Sequence, residues 1–395
     1  MKEKIVSLFR LFIMVGMLAG AYIYNVKFIQ IGIPALGRDI LHLAPLELGA
    51  IMASLAILTC IIALIWGFRV DALCWSVEKK VNAVLIIGIF QLFLTVWAPY
   101  IISVAALLFW VLLTSLTLGI GIPISLPLFF ELVPPRNRGL IAGLISGGAY
   151  SIGNLSIVPW TTYDLMLEAV FFMAPGLLAL LIIKLFGLFP TFFYDEPDEQ
   201  KLIGRFPTAS IAPLLILMFT IFFIDSLGFL RIIEEPSLII RTWNSPLQTR
   251  AILAVIHLIT GILAGLLYQK TNGWVIGLVS LGLFIVADFA FVQYSPTWSD
   301  NRLLFIALIY CTTVSVYTVN NFCLWSDVST RKNIGKNASL GIAVGGWLAS
   351  FLSTALAYYL HETTPFNLHL LFPAILAMIA FIGVAFYKLK FEKHL

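Results

Sequence analysis

The sequence predicts an all-α membrane protein, with twelve transmembrane helices arranged as two pseudo-symmetric six-helix bundles. Three observations carry that reading. Hydrophobic residues make up 61% of the 395-residue chain and charged residues only 11%. Soluble domains carry about 25% charged residues, so this chain lacks the polar surface needed to face water. Its apolar runs match the roughly 20 residues that a helix needs to cross hydrocarbon. Finally, the charged segment Glu131-Leu132-Val133-Pro134-Pro135-Arg136-Asn137-Arg138-Gly139 is echoed 196 residues later by Asp327-Val328-Ser329-Thr330-Arg331-Lys332-Asn333-Ile334-Gly335, which points to a duplicated bundle.

The elements follow from apolar runs between polar breaks. The first, 9–36, comes after Lys2 and Lys4. Its basic start and the small residues Ala19-Gly20-Ala21 also fit a signal peptide, but removing it would leave an odd number of helices and an unpartnered second half. It is therefore read as a span. Five more are expected at 46–67, 81–98, 101–130, 139–160 and 166–190. The longest strongly polar break, 194–208, is rich in Asp and Glu and reads as a linker with a solvated acidic face. The second set is expected at 210–232, 247–268, 273–293, 302–325, 336–360 and 367–388. The domains are thus an N-terminal bundle (1–193), a linker (194–208) and a C-terminal bundle (209–395).

The distribution of charge matters more than its sum of +4. If both termini are cytoplasmic, seventeen of the 24 Lys and Arg residues fall on the inner side and five on the outer, with Lys27 and Lys184 inside spans. That is a firm positive-inside bias, and it accounts for the basic residues without nucleic acid as a partner. Cys60, Cys74, Cys311 and Cys323 have no metal-ligand spacing. The histidines (His42, His257, His361, His369 and His394) are scattered and form no catalytic constellation. No Walker-type loop is present, so ATP is not a direct driver. The chain reads as neither an enzyme nor a cofactor protein.

Two further segments complete a pattern. Gly67 and Asp71 follow the second span, with Glu78-Lys79-Lys80 after them; Gly265 and Lys270 follow the eighth, and Gly67 and Gly265 are 198 residues apart. This layout resembles the major facilitator superfamily. In that family a Gly-x-x-x-Asp loop joins helices 2 and 3, and a Glu-x-x-Pro-x-x-x-Arg-Gly loop joins helices 4 and 5. The topological resemblance spans the chain, while about thirty residues carry motifs. Glu131, Pro134, Arg138 and Gly139 match the second motif, and Gly67 and Asp71 match the first. Ala72 replaces the usual Arg, Gln269 stands where an acid is often seen, and Ser329 and Ile334 replace Pro and Arg in the C-terminal copy. The resemblance implies that Gly67, Asp71, Glu131, Arg138, Gly139, Asp327 and Gly335 form loops that hold one side closed. The bland alternative is that their basic residues only anchor orientation.

Charges inside spans are expensive and mark functional sites by default. Lys27 and Asp225 stand out, and their 198-residue offset equals that of the Gly67 and Gly265 pair. Tyr24, Lys27 and Gln30 recur at three-residue steps and are expected on one helix face, with Asn25 close by. Helices 1, 4, 7 and 10 line the central cavity in the resembled family. That places Tyr317, Asn320 and Asn321 beside it, with Thr114 and Thr117 on helix 4. Two readings of Lys27 and Asp225 stay open: an ion pair across the cavity, or a substrate anion site at Lys27 with a coupling proton at Asp225. His257 is read as a packing residue and Asp288, on a peripheral helix, as structural. Glu47, Asp164, Glu168, Glu234 and Glu235 are placed at hydrated outer ends.

The resemblance implies a monomeric secondary transporter in a plasma or inner membrane, moving a small organic, anionic or amphipathic solute by alternating access. Coupling would be to protons, as symport or antiport. The alternatives are a non-transporting receptor or assembly factor on the same scaffold, or an efflux pump for amphipathic compounds. Helix 5 lacks the Gly-Pro pair of the family's antiporter motif, which argues against a drug–proton exchanger.

Overall fold

The computed structural model describes residues 16, 18–21, 23–155, 161–187 and 210–391, without the side chains of Asn25, Val26, Glu362 and Phe391. The expected linker at 194–208 lies outside the described residues. Among these residues the chain is helical with no strand.

The helices run in chain order as follows. Helix α1 (23–40) combines wide-turned segments, Tyr24–Gly32 and Leu36–Ile40, around Ile33–Ala35. Next come α2 (Pro45–Ala72), α3 (Val77–Trp97), α4 (Val104–Leu132), α5 (Arg138–Leu155) and α6 (Thr162–Leu185). The second half holds α7 (Ile211–Ile233), α8 (Leu247–Lys270), α9 (Gly273–Val292) and α10 (Asp300–Asp327). Then follow α11, built from Ile334–Ala338, Ser339–Leu348 and Ala349–Thr363, and α12 (Phe366–Phe391). Ten helices among the described residues are long and apolar enough to cross a membrane.

Helix starts follow local chemistry. The hydroxyls of Ser76, Ser103, Thr161 and Ser299 and the amide oxygen of Asn272 accept from backbone N–H groups of the following turn. Each satisfies a donor that the helix cannot. Pro45 opens α2, where Glu47 accepts from the Ala44 N–H at 2.9 Å.

Several helices outrun their apolar stretches. The second span was expected to end at 67, but α2 continues to Ala72, so Gly67 and Asp71 sit on its last turns rather than in a loop. Glu131 likewise belongs to α4, Gly139 and Arg138 to the first turn of α5, and Asp327 to the end of α10. Polar residues can extend a helix here because its neighbours supply partners for them.

Two helix pairs join the halves of the chain at backbone distance. On α5, a Cβ at Gly139 or Gly143 would overlap the carbonyl oxygens of Gly265 and Gly261 on α8, and one at Gly147 would stand 3.0 Å from the His257 carbonyl. Small residues let helices approach this closely in lipid, where dispersion and not water drives association. Helix α2 meets α11 in the same way. Gly67 faces Ser339 and Gly335 at one end, and Gly49 faces Ala355 at the other.

The α5–α8 contact makes a paired prediction. Gly143→Ala forces its new methyl into the Gly261 carbonyl and is expected to cost about 1–3 kcal/mol, as overpacking does. Gly148→Ala meets nothing within 4 Å and should leave stability unchanged or raise it by up to about 1 kcal/mol through helix propensity. Thermal unfolding of the purified protein separates the two. Equal melting temperatures would contradict the packing account.

Candidate functional site

Two adjoining chambers lie between the halves. The larger set of polar groups lines a cavity of about 100 Å³, walled by Lys27 and Gln30 of α1, Tyr150, Gly153 and Asn154 of α5, Asp225 and its neighbours on α7, His257 of α8, Tyr310 and Tyr317 of α10, and Ser350 and Thr354 of α11. A second cavity of about 120 Å³ shares Gln30, Phe222 and Ser350 with it and adds Ile122, Ser125, Asn321 and Trp347.

The two charges in the first chamber are each held within their own half. Lys27 Nζ donates to Glu168 on α6 at 3.1 and 3.3 Å. Asp225 accepts from the Tyr317 hydroxyl at 2.5 Å and the Tyr310 hydroxyl at 2.8 Å. The Lys27–Asp225 ion pair considered from sequence is thus replaced by two separate arrangements. Aromatic rings brace the acid. Phe222 meets Tyr317 edge-on at 4.9 Å, and Phe229 stacks on Tyr310 at 5.8 Å.

Several expectations need correction. Tyr24 does not share the chamber face with Lys27 and Gln30. Its hydroxyl accepts from Gln91 Nε2, and its ring packs on Phe28 inside the first half. The wide turn over Tyr24–Gly32 advances less per residue than an α-helix, so three-residue steps no longer stay aligned. The Asn25 side chain lies outside the described residues. Asn320 faces away from both chambers, donating to the Gly273 carbonyl at 3.1 Å and to Met218 Sδ at 3.5 Å. Asn321 lines the second chamber and accepts from Trp325 Nε1. Thr117 donates to Gln91 Oε1, and Thr114 is buried in the first half, so helix 4 reaches only the second chamber, through Ile122 and Ser125.

Sequence reasoning missed other residues. Glu168 was placed at a hydrated end, but α6 begins at Thr162, which puts it more than one turn inside and against Lys27. His257, read as a hydrogen-bonded packing residue, does bond Ser315 Oγ through Nδ1 at 2.8 Å and stack on Tyr150 across the α5–α8 contact at 4.9 Å, but it also lines the chamber. Only the rarity of polar residues in spans could have flagged these two.

The loop motifs converge at one end of the bundle. Asp71 accepts from the backbone N–H groups of Gly335 and Lys336 at 2.8 and 2.7 Å, at the start of α11. These are unpaired first-turn donors at the positive end of a helix dipole. Gly335 leaves the carboxylate room, since a Cβ there would stand 2.7 Å from Asp71 Oδ1. Arg138 is 1% exposed. It donates to the Phe130 and Val133 carbonyls at the end of α4 and reaches Asp327 on α10 at 3.5 Å. Glu131 pairs instead within its own half, accepting from Lys80 Nζ at 2.7 Å. The eroded second motif thus supplies the donors for Asp71 and the acceptor for Arg138.

The opposite end has its own cross-contact. Arg38 at the end of α1 lies 3.9 Å from Glu234, just past α7, and Glu234 lies 3.1 Å from His361 Nδ1. Burial pushes the Glu234 carboxyl up to about 7, opposed by Arg38 and Arg231.

No family model and no curated protein matches the sequence. Solved structures do match over nearly the whole chain. The human organic anion transporter MFSD10 (TETRAN) is similar at 15% identity and TM-score 0.65, covering 97% of this chain and 99% of that one. The nucleoside transporter NupG is similar at 14% identity and TM-score 0.58, covering 98% of each chain. The proton:xylose symporter XylE of the major facilitator superfamily is similar at 14% identity and TM-score 0.61, covering 98% and 95%. The fold is therefore the major facilitator fold.

Two predictions follow from the bundle ends. Asp71→Asn removes the charge from the α11 N-terminus, an interaction of about 0.3–1 kcal/mol. In a Cys74→Ser background, labelling of the buried Cys323 by a water-soluble thiol reagent should accelerate by roughly two- to fivefold; an unchanged rate would contradict the contact. At the opposite end, burial raises Glu234 from its ordinary 4.5 to about 7. The arrangement that buries it binds a proton more tightly than one that exposes it. Closure there is favoured below about 4.5 and declines as pH rises toward about 7. Spin labels at Leu46→Cys and Leu247→Cys should separate over that window, and Glu234→Gln should hold them close throughout. A persistent pH trend in Glu234→Gln would assign the effect to His361.

Proposed function

We propose that this protein is a secondary transporter that moves a small organic solute across a membrane by rocking two six-helix bundles, 1–193 and 209–395, about a midplane site. One observation carries it: a polar and aromatic chamber lies between the halves, with Lys27 from one and Asp225 from the other on its wall. The neighbours that share the fold are transporters of organic anions, nucleosides and xylose, which supports a transport role. The positive-inside bias supports cytoplasmic termini and a cytoplasmic location for the Asp71 and Arg138 contacts.

The chamber is small beside the usual 300–1,000 Å³ of ligand pockets. In this reading the structure is a contracted state held at both ends, and loading requires one end to part. Lys27 holds an anionic group of the solute once that group competes with Glu168, while the rings around Asp225 receive its flat or apolar part. Asp225 is the coupling residue. Two tyrosine hydroxyls hold its carboxylate and no cation among the described residues does, so its charge can be discharged by a proton without breaking an ion pair.

Reconstituted proteoliposomes test this reading. Uptake from a panel of organic anions, nucleosides and sugars under an inward proton gradient should be saturable and sensitive to an uncoupler. Lys27→Ala and Asp225→Asn should each lower it by about tenfold or more, as expected for loss of one charge-assisted contact worth about 1.4 kcal/mol. Binding without flux across the panel would favour a receptor on the same scaffold.

A further inference from the structure

Asp288 on α9 is the most anomalous group among the described residues. It is 0% exposed, and neither carboxylate oxygen has a hydrogen-bond partner among them. An unpaired buried carboxylate is costly enough that such groups neutralise rather than stay charged. The described surroundings offer no cation to offset a charge. On α7 the facing titratable group is Asp225, close enough for the two acids to interact. On α10 it is Tyr310, whose hydroxyl is committed to Asp225. His369 on α12 bonds the Leu227 carbonyl through Nε2, and His257 on α8 bonds Ser315.

The neighbourhood also contains a gap. Gly228 has no side chain, and a Cβ there would stand 3.4 Å from Asp288 Oδ1 and 3.8 Å from the Tyr310 hydroxyl. The missing methyl leaves open the space that both oxygens border. Tyr310 therefore touches Asp225 on the chamber side and borders the Asp288 gap on the other.

We propose that Asp288 is a second proton-binding site, which holds a proton behind the chamber and exchanges it with Asp225 through the Tyr310 hydroxyl. In the exchange, the Asp288 carboxyl gives its proton to a water in the gap as that water gives one to Tyr310 Oη and Tyr310 gives its own to the Asp225 carboxylate. One proton moves, the tyrosine ends unchanged, and the negative charge passes from Asp225 to Asp288. A metal cation fits less well, because the Tyr310 and Tyr317 hydroxyls donate to Asp225 and so present protons rather than lone pairs to the space between the acids. The purpose of such a store rests on the transporter reading, but its detection does not.

Infrared spectroscopy of the purified protein in nanodiscs tests the site directly. A protonated-carboxyl C=O band should be present at neutral pH, disappear in Asp288→Asn, and persist in Asp225→Asn. A wild type without that band, or a band unchanged in Asp288→Asn, would overturn the proposal. Loss of the band in sodium chloride but not in choline chloride would also overturn it, in favour of a cation site. The relay has a separate readout in the rate at which the band shifts on transfer to D₂O. Gly228→Ala fits at ordinary contact distance, so it should fold, and it fills the gap. It and Tyr310→Phe should slow the shift by about tenfold or more, a barrier change of about 1.4 kcal/mol; wild-type rates in both would overturn the relay. Absence of proton-driven uptake with the band intact would instead count against the transporter reading.

Discussion

The backbone approach of α5 to α8 is the contact on which the rest of the structure depends. Gly139, Gly143, Gly261 and Gly265 bring the two helices close enough for carbonyl oxygens to face bare Cα positions. That seam ties one half of the chain to the other, and it also builds part of the chamber. Just beyond the glycines, where side chains return, Tyr150 and His257 stack across the same interface and form its floor. The helices α2 and α11 make a matching seam on the other side. The chamber is the space left where neither seam closes.

Within that frame, the charged groups among the described residues sort by position. Charges near the chamber are satisfied inside one half: Lys27 by Glu168, Asp225 by two tyrosines. Charged contacts between the halves sit at the ends, in the Asp71–α11, Arg138–Asp327 and Arg38–Glu234 pairs, while neutral ones such as Ser151 to the Ala254 carbonyl run along the seams. Buried polar groups left unpaired are costly, and this partition leaves no charge pair between the halves beside the chamber among the described residues.

Much of this was legible in the sequence, for reasons that can be named. The motif residues were visible because Gly, Pro, Arg and Asp clusters are rare in so apolar a chain. Their pairing was not, since Asp71 chose backbone N–H groups that no side-chain pattern advertises. The motifs' position on helices rather than loops was missed because hydropathy ends where the helix does not. Tyr24 was misplaced because a wide turn breaks the three-residue rule, and no residue type signals that turn. Glu168 was misread because a shift of four residues in a helix start moves a side chain from hydrated end to interior. Asp288 was visible as a charge in a span, but its orphaned oxygens and its neighbour Gly228 are facts of three dimensions.

The two ends of the bundle differ in chemistry, and that difference sets how each can respond. At the motif end the donors are a guanidinium and backbone N–H groups, which stay charged or polar at any physiological pH. At the other end Glu234 sits among Arg38, Arg231 and His361, with its carboxyl poised at about 7. Burial raises the Asp71 carboxyl at the motif end too, but the Lys336 and Gly335 N–H groups oppose it, whereas Glu234 reaches the neutral range. The second end is therefore the more responsive of the two to the proton concentration of the side it faces. If the bundle rocks, proton supply at that side biases which end parts first, before any proton reaches Asp225.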